Sequence, residues 1–143
     1  MNAEHKAAKI LVVDDDQYVR LLLGARLRKN GYEVVTAEDG EEAVRIVGQV
    51  KPALILLDLG LPKMDGFEVC RTLKSDPETC GIPIIILSAK SQQADRDQAS
   101  AAGAESYMAK PFNSVAILEE IQHLLVRSSA FFGVDFSRPS SHN

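Results

Sequence analysis

The sequence has no tryptophan, only two cysteines and 6% aromatic residues, and no apolar run in its 143 residues approaches the length of a membrane span. Each scarcity removes a class of protein. Cys70 and Cys80 have neither CxxC spacing nor metal-ligand companions, so they read as small buried hydrophobes in a reducing compartment. The opening MNAEHKAAK has no apolar core from which to build a signal peptide, which points to the cytoplasm. Positive charge is not in excess. A formal net charge of −4 gives no electrostatic reason to dock on nucleic acid or on an acidic membrane. What is left is an ordinary globular composition, 45% hydrophobic and 25% charged, with enough chain for one domain and a sizeable core.

Along the chain, short apolar runs alternate with longer segments of helical period. KILVV ends in Asp14, Asp15 and Asp16, and YVRLLLGARLRKNG then carries apolar residues at 3–4 spacing. Asp16 is a candidate cap for that helix and Gly31 its end. YEVVTA reads as a strand, and DGEEAVRIVGQVK as a helix with acids in its first turn and lysine at its end. ALILL is a third strand, GFEVCRTLKSD a third helix, and PIIIL a fourth strand starting on a tolerated Pro83. A polar helix SQQADRDQASAAG, a short strand SYMA and a last helix NSVAILEEIQHLLVR complete the pattern. Five strand-then-helix units imply an α/β fold, a doubly wound parallel sheet with helices on both faces.

In such a sheet chemistry gathers at the carboxyl ends of the strands. Strand one ends in Asp14 and Asp15, strand three in Asp58, strand four in Ser88, and strand five in AKP with Lys110. These polar residues should therefore meet on one edge. Three carboxylates brought together repel, and one would protonate unless a cation sat among them. A hard divalent ion held by a few oxygens and several waters meets that need, and Mg²⁺ is the physiological candidate. With Lys110 adding positive charge, the site is poised to receive a phosphoryl group, with Asp58 as the attacking carboxylate. Gly60 can bring its carbonyl near the metal with no side chain in the way. Pro62 and Asp65-Gly66 turn the chain into the next helix. Lys110-Pro111 is a candidate cis peptide that would fix the direction of the lysine.

ILVVDD, ILLDLGLPKMDGFEVC, IIILSAK and AGAESYMAKPF together resemble the receiver domain of two-component response regulators, over residues 8 to 127. The resemblance implies a five-stranded sheet of order 2-1-3-4-5 with five helices. Asp58 would be the phosphoacceptor, Asp14 and Asp15 the Mg²⁺-binding acids with Asp15 the direct ligand, and Gly60 the metal-binding carbonyl. Ser88 matches the hydroxyl that hydrogen-bonds the phosphoryl group, and Lys110 the lysine that pairs with it. Tyr107 takes the place of the switch aromatic that turns inward when Ser88 is drawn to the phosphate. The donor would be a phosphohistidine on a sensor histidine kinase or phosphotransfer protein. A downstream protein partner would then be controlled through helix four, strand five and helix five. The domain's role is signalling; it would take part only in its own phosphotransfer and dephosphorylation. The expected unit is a stand-alone or excised receiver.

Two departures stand out. Glu119 and Glu120 occupy the last helix where the DNA-binding, winged-helix branch has a base, which tells against that branch's dimer. Gly60 and Lys90 stand two beyond Asp58 and Ser88, where side chains tune access of hydrolytic water; Gly60 would leave the phosphoryl group less shielded and Lys90 would pair with it. The end of the chain, SSAFFGVDFSRPSSHN (128–143), holds three of the five phenylalanines. Its composition suggests a flexible tail, and the sharper alternative is docking of Phe131, Phe132 and Phe136 on the domain or a partner. Two other functions compete. One is a haloacid-dehalogenase-like phosphatase with Asp14 as nucleophile and Asp16 as acid/base, although Tyr18 stands where threonine is usual there. The other is a pseudo-receiver used only for protein binding. A flavodoxin-like FMN binder fails, because three acids after strand one would repel the phosphate. His5, His123 and His142 do not join the cluster.

Overall fold

The computed structural model describes residues 7–89 and 92–133, and only the backbone of 128–133. Ten elements alternate along the chain: β1 (Lys9–Val13), α1 (Gln17–Lys29), β2 (Glu33–Ala37), α2 (Gly40–Val50), β3 (Leu54–Asp58), α3 (Gly66–Ser75), β4 (Ile84–Ser88), α4 (Gln93–Ala101), β5 (Ser106–Ala109) and α5 (Ser114–Gly133). All strand pairs are parallel, and their order is β2-β1-β3-β4-β5. This is the flavodoxin-like doubly wound sheet, with its topological reversal between β1 and β3.

The continuous apolar strands divide their side chains between two cores, because successive residues point to opposite faces. Leu11, Val13, Ile55, Leu57, Ile84 and Ile86 form one core with Val47 of α2 and Val69 and Leu73 of α3. Ile10, Val12, Leu54, Leu56, Ile85 and Leu87 form the other with Leu23 and Leu27 of α1 and Ile117, Ile121 and Leu124 of α5. Leu54 through Leu57 are at most 1% exposed, which explains why β3 shows no polar alternation. Each such side chain contributes about 1.5–3 kcal/mol by leaving water.

Aspartates and an asparagine start α1, α2, α3 and α5, whereas Gln92 before α4 makes no side-chain cap bond. Asp16 accepts from the Tyr18 N–H, Asp39 from the Glu42 N–H, Asp65 from the Glu68 N–H and Asn113 from the Val115 N–H. Gly31, at φ +93°, follows the Asn30 cap that closes α1. Two boundaries differ from expectation. Pro83 lies just outside β4, and its carbonyl accepts the Ile55 N–H at 3.0 Å. The last helix does not stop at Arg127 but runs on to Gly133, since no residue before that glycine breaks a helix. The expected tail therefore begins as helix. The docking of Phe131, Phe132 and Phe136 and the role of Lys90 lie outside the described side chains. Among the described residues no helix is long and apolar enough to cross a membrane.

Cys70 sits in the α3 core with its Sγ 3.4 Å from the Ala102 carbonyl, whereas Cys80 is exposed. Burial pushes the Cys70 thiol up to about 11. Native protein at pH 8 should accordingly show one thiol reactive toward Ellman's reagent, and the second only on unfolding. Two reactive thiols in the native state would contradict this packing.

Candidate functional site

Parallel register brings the strand ends to one edge. Asp58 pairs with Leu87 and Ser88 with Ala109, and the Lys110 N–H donates to the Ser88 carbonyl at 2.8 Å. Asp14 follows β1 directly and donates its own N–H to the Ala37 carbonyl at 3.1 Å. The Lys110 side chain reaches across this edge. Its Nζ donates to Asp14 Oδ2 at 2.8 Å and to Asp58 Oδ1 at 2.9 Å. The Lys110-Pro111 bond, a candidate cis peptide in the sequence, is cis.

The three acids are not equivalent. Asp14 is 2% exposed, and its Oδ1 accepts the Asp16 N–H at 2.9 Å while the Arg20 guanidinium donates to its backbone carbonyl. Asp15 is exposed, and Asp58 lies half-way between. One oxygen from each of the three lies within 4.8 Å of the others. Burial raises the Asp58 carboxyl pKa; Lys110 pulls it back, the Asp14 and Asp15 charges push it up again, and the net shift is upward. For Lys110, burial is the largest single influence and acts downward. The hydrogen bonds and charges of Asp14 and Asp58 together outweigh it, so the ammonium is held above its usual range.

Lys110 cannot balance three carboxylates alone. An all-oxygen donor set of mixed burial, with negative charge in excess, fits a hard divalent cation, and an exposed acid at its rim leaves room for the waters such an ion keeps.

The loop after β3 is shaped by close approaches that the sequence reading missed. A side chain at Gly66 would meet the Asp58 carbonyl oxygen at 2.5 Å and Leu59 Cα at 2.7 Å. One at Gly40 would collide with the Met64 backbone. Glycine at these two helix starts lets α2 and α3 press against the loop that carries Asp58. The signal was the Asp-Gly pair opening each helix, at 39–40 and 65–66, of which the first was read only as part of the helix and the second only as a turn. Gly60 is different. A Cβ there would meet only Asp58 Oδ2, at an ordinary 3.8 Å. Glycine is thus not sterically required at 60, and its effect is open ground beside that oxygen.

Ser88 ends β4 and is 3% exposed. Tyr107 on β5 packs one side against the α2–α3 core, and the Arg96 guanidinium of α4 lies over its ring, 4.8 Å from the centroid. Arg96 Nη1 also approaches the Tyr107 carbonyl at 3.4 Å. This contact between α4 and β5 was not read from the sequence.

The model of the response regulator receiver domain matches residues 10–122. The chain belongs to that family. As a receiver domain of response regulators it is a signalling domain of two-component systems. It is 42% identical to the alkaline phosphatase synthesis transcriptional regulatory protein PhoP of Bacillus subtilis over 120 residues, which are 84% of this chain and 49% of that protein. The receiver chain thus spans about half the length of such curated relatives. In structure it resembles the chemotaxis response regulator CheY4 of Vibrio cholerae, at TM-score 0.78 and 31% identity, covering 82% of this chain and 98% of that one. The receiver domain of the sensor histidine kinase PA1611 of Pseudomonas aeruginosa gives TM-score 0.78 and 32% identity over 84% and 98% of the two chains. That protein's structure has a magnesium ion coordinated in its active-site cleft. The relatives include transcriptional regulators, so the charge argument against nucleic acid applies to the sequence at hand and is not confirmed by its relatives.

The raised Asp58 pKa fixes a sign. The folded state keeps this proton to higher pH than the unfolded chain, so the stability it contributes is present below the unfolded value and lost as pH rises through the raised one. At pH 7 the ionised carboxylate is therefore a net cost. With chelator present, Asp58→Asn should melt at a higher temperature than wild type by calorimetry; a lower melting temperature would contradict the desolvation account.

Proposed function

We propose that Asp58 accepts a phosphoryl group from a phosphohistidine on a sensor histidine kinase or histidine phosphotransfer protein. The observation that carries this reading is the asymmetry of the Asp58 carboxylate. Its Oδ1 is held by Lys110 at 2.9 Å, while Oδ2 faces the open ground at Gly60. The same asymmetry favours Asp58 over Asp14 as nucleophile, because Asp14 is buried with its oxygens engaged by Lys110 and the Asp16 N–H. An Asp58 oxygen attacks phosphorus in line, the phosphorus–nitrogen bond to the donor histidine breaks, and the imidazole nitrogen leaves with that electron pair. The product is an acyl phosphate.

The chain's own groups serve this step in distinct ways. Asp14, Asp15, Asp58 and the Gly60 carbonyl would hold Mg²⁺, which neutralises charge on the phosphoryl oxygens when bound. Lys110 moves its hydrogen bond from the carboxylate to a phosphoryl oxygen, supplying positive charge where negative charge builds. The Ser88 hydroxyl donates to another phosphoryl oxygen, and Tyr107 follows Ser88 inward. That movement draws the ring from under Arg96 and so alters the surface made by α4, β5 and α5, to which a downstream protein answers. The donor protein docks on α1, where Tyr18, Leu21 and Leu22 present an exposed apolar stripe at helical spacing beside the site. The working unit is residues 8–127, acting in the cytoplasm without turnover of an external substrate.

Intact-mass analysis after incubation with acetyl phosphate tests the reading. A Mg²⁺-dependent gain of one phosphoryl group should appear in wild type and vanish in Asp58→Asn. No gain under any condition would leave a phosphate-independent binding module instead. A gain that survives in Asp58→Asn but not in Asp14→Asn would make Asp14 the nucleophile.

A further inference from the structure

The turn from β1 into α1 carries three acids in a row, and the middle one is held from both sides. The Asp14 carbonyl, part of the peptide before Asp15, accepts from Arg20 Nη1 at 2.8 Å. The Asp16 N–H, part of the peptide after it, donates to Asp14 Oδ1 at 2.9 Å. Peptide groups are planar, so pinning two successive planes leaves the residue between them little freedom. Asp15 itself is exposed and belongs to the three-carboxylate cluster. The direction in which it offers its oxygens therefore depends on these two hydrogen bonds. One is internal to the acidic run; the other comes from α1.

No simpler role accounts for Arg20. It lies in the first turn of α1, where the helix field disfavours a cation, whereas Arg26, Arg28 and Lys29 occupy the last turn, where the field favours one. Asp14, Asp15 and Asp16 are close in the chain. Yet among the described residues Arg20 forms no salt bridge, and its guanidinium donates to a carbonyl instead. Both ends of this strut are anchored. The Arg20 N–H donates to the Asp16 carbonyl at 3.1 Å, and Leu23 and Leu27 bury α1 against the sheet. Asp14 is tied to β2 by its N–H to the Ala37 carbonyl at 3.1 Å. A guanidinium presents its donors in a rigid planar fork, which suits it to hold a peptide in one orientation.

Charge and geometry make opposite demands here. A positive charge beside the cluster repels a divalent cation, so by charge alone Arg20 weakens the site. We propose that geometry prevails: Arg20 is a positioning residue whose hydrogen bond to the Asp14 carbonyl directs Asp15, so that Mg²⁺ is held more tightly with the guanidinium than without it. This rests on the reading that Asp14, Asp15 and Asp58 hold Mg²⁺, and it names what orients the exposed acid of the three.

Calorimetric titration of Mg²⁺ into the unphosphorylated full chain separates the two effects by sign. Arg20→Met keeps an apolar stem but removes both charge and donor, and should weaken binding about tenfold, as loss of a ligand-orienting partner does. Arg20→Lys, which keeps a charged donor, should recover part of that loss. In an Asp15→Asn background only the charge effect remains, so adding Arg20→Met should leave affinity unchanged or raise it. Circular dichroism of each variant checks the fold. A measurement on wild type in chelator needs neither a variant nor the metal: rotation of the Arg20 guanidinium should be hindered in nuclear magnetic resonance spectra relative to that of the exposed Arg26. Equal or tighter Mg²⁺ binding in Arg20→Met, further weakening in the Asp15→Asn background, or free rotation of the Arg20 guanidinium would overturn this proposal and leave the metal reading standing. No Mg²⁺ binding to wild type would overturn both.

Discussion

One ammonium group holds the business end of this molecule together. Lys110, just past β5, donates to Asp14 after β1 and to Asp58 at the tip of β3, at 2.8 and 2.9 Å. It thereby spans the sheet from its edge strand to its centre. The carboxylates it joins are 3% and 12% exposed, so neither could remain charged and unpaired at tolerable cost. Yet the pairing is incomplete by design of the charges: Asp15 stands within reach of the same cluster, and one lysine does not neutralise three acids. Negative charge is left in excess where the structure has already paid for desolvation.

That excess is confined to one edge of the sheet. The apolar strands force it. Leu54 to Leu57 are buried on both faces of the sheet, so β3 can deliver its first polar residue only at its end. The parallel register then aligns the ends of β3, β4 and β5 to within one residue of each other. Helices α2 and α3 close in beneath, through Gly40 and Gly66, and leave the ground over Gly60 open. A site confined on one side and open on the other leaves one oxygen of Asp58 accessible while Lys110 holds the other. The same burial that raises the Asp58 pKa is a cost that positive charge beside the carboxylate offsets.

Much of this was legible in the residues. The switch between unbroken apolar runs and 3–4 spacing located all ten elements, and Asp16, Asp39 and Asp65 marked helix starts as their side chains require. Asp14, Asp15, Asp58, Ser88 and Lys110 could be assigned to one edge because each follows an apolar strand. Strand order was legible only through the family resemblance, since periodicity says which segments are strands but not which are neighbours. The rest depended on distances that spacing does not encode. Gly66 looked like a turn residue, and only three-dimensional proximity to the Asp58 carbonyl reveals its steric role. Gly60 was read as a position whose carbonyl can approach a metal with no side chain in the way, and the distances add that a Cβ there would meet only Asp58 Oδ2, at 3.8 Å. Arg96 over Tyr107 joins a polar helix to the next strand, and no pattern within either predicts it. The end of α5 was placed at Arg127 because the composition of 128–143 was read as that of a flexible tail, although nothing before Gly133 stops a helix.

The central claim is that the carboxylates exceed the charge Lys110 can balance, and that the excess is answered by a divalent cation. Calorimetric titration of Mg²⁺ into the unphosphorylated protein, compared with Asp15→Asn, tests it most directly. The account predicts saturable Mg²⁺ binding in wild type that is weakened at least tenfold in Asp15→Asn, because removing the exposed acid takes away one of the three carboxylates and halves the excess negative charge without disturbing the Lys110 bridge. Absence of binding to wild type, or equal affinity in the variant, would contradict it.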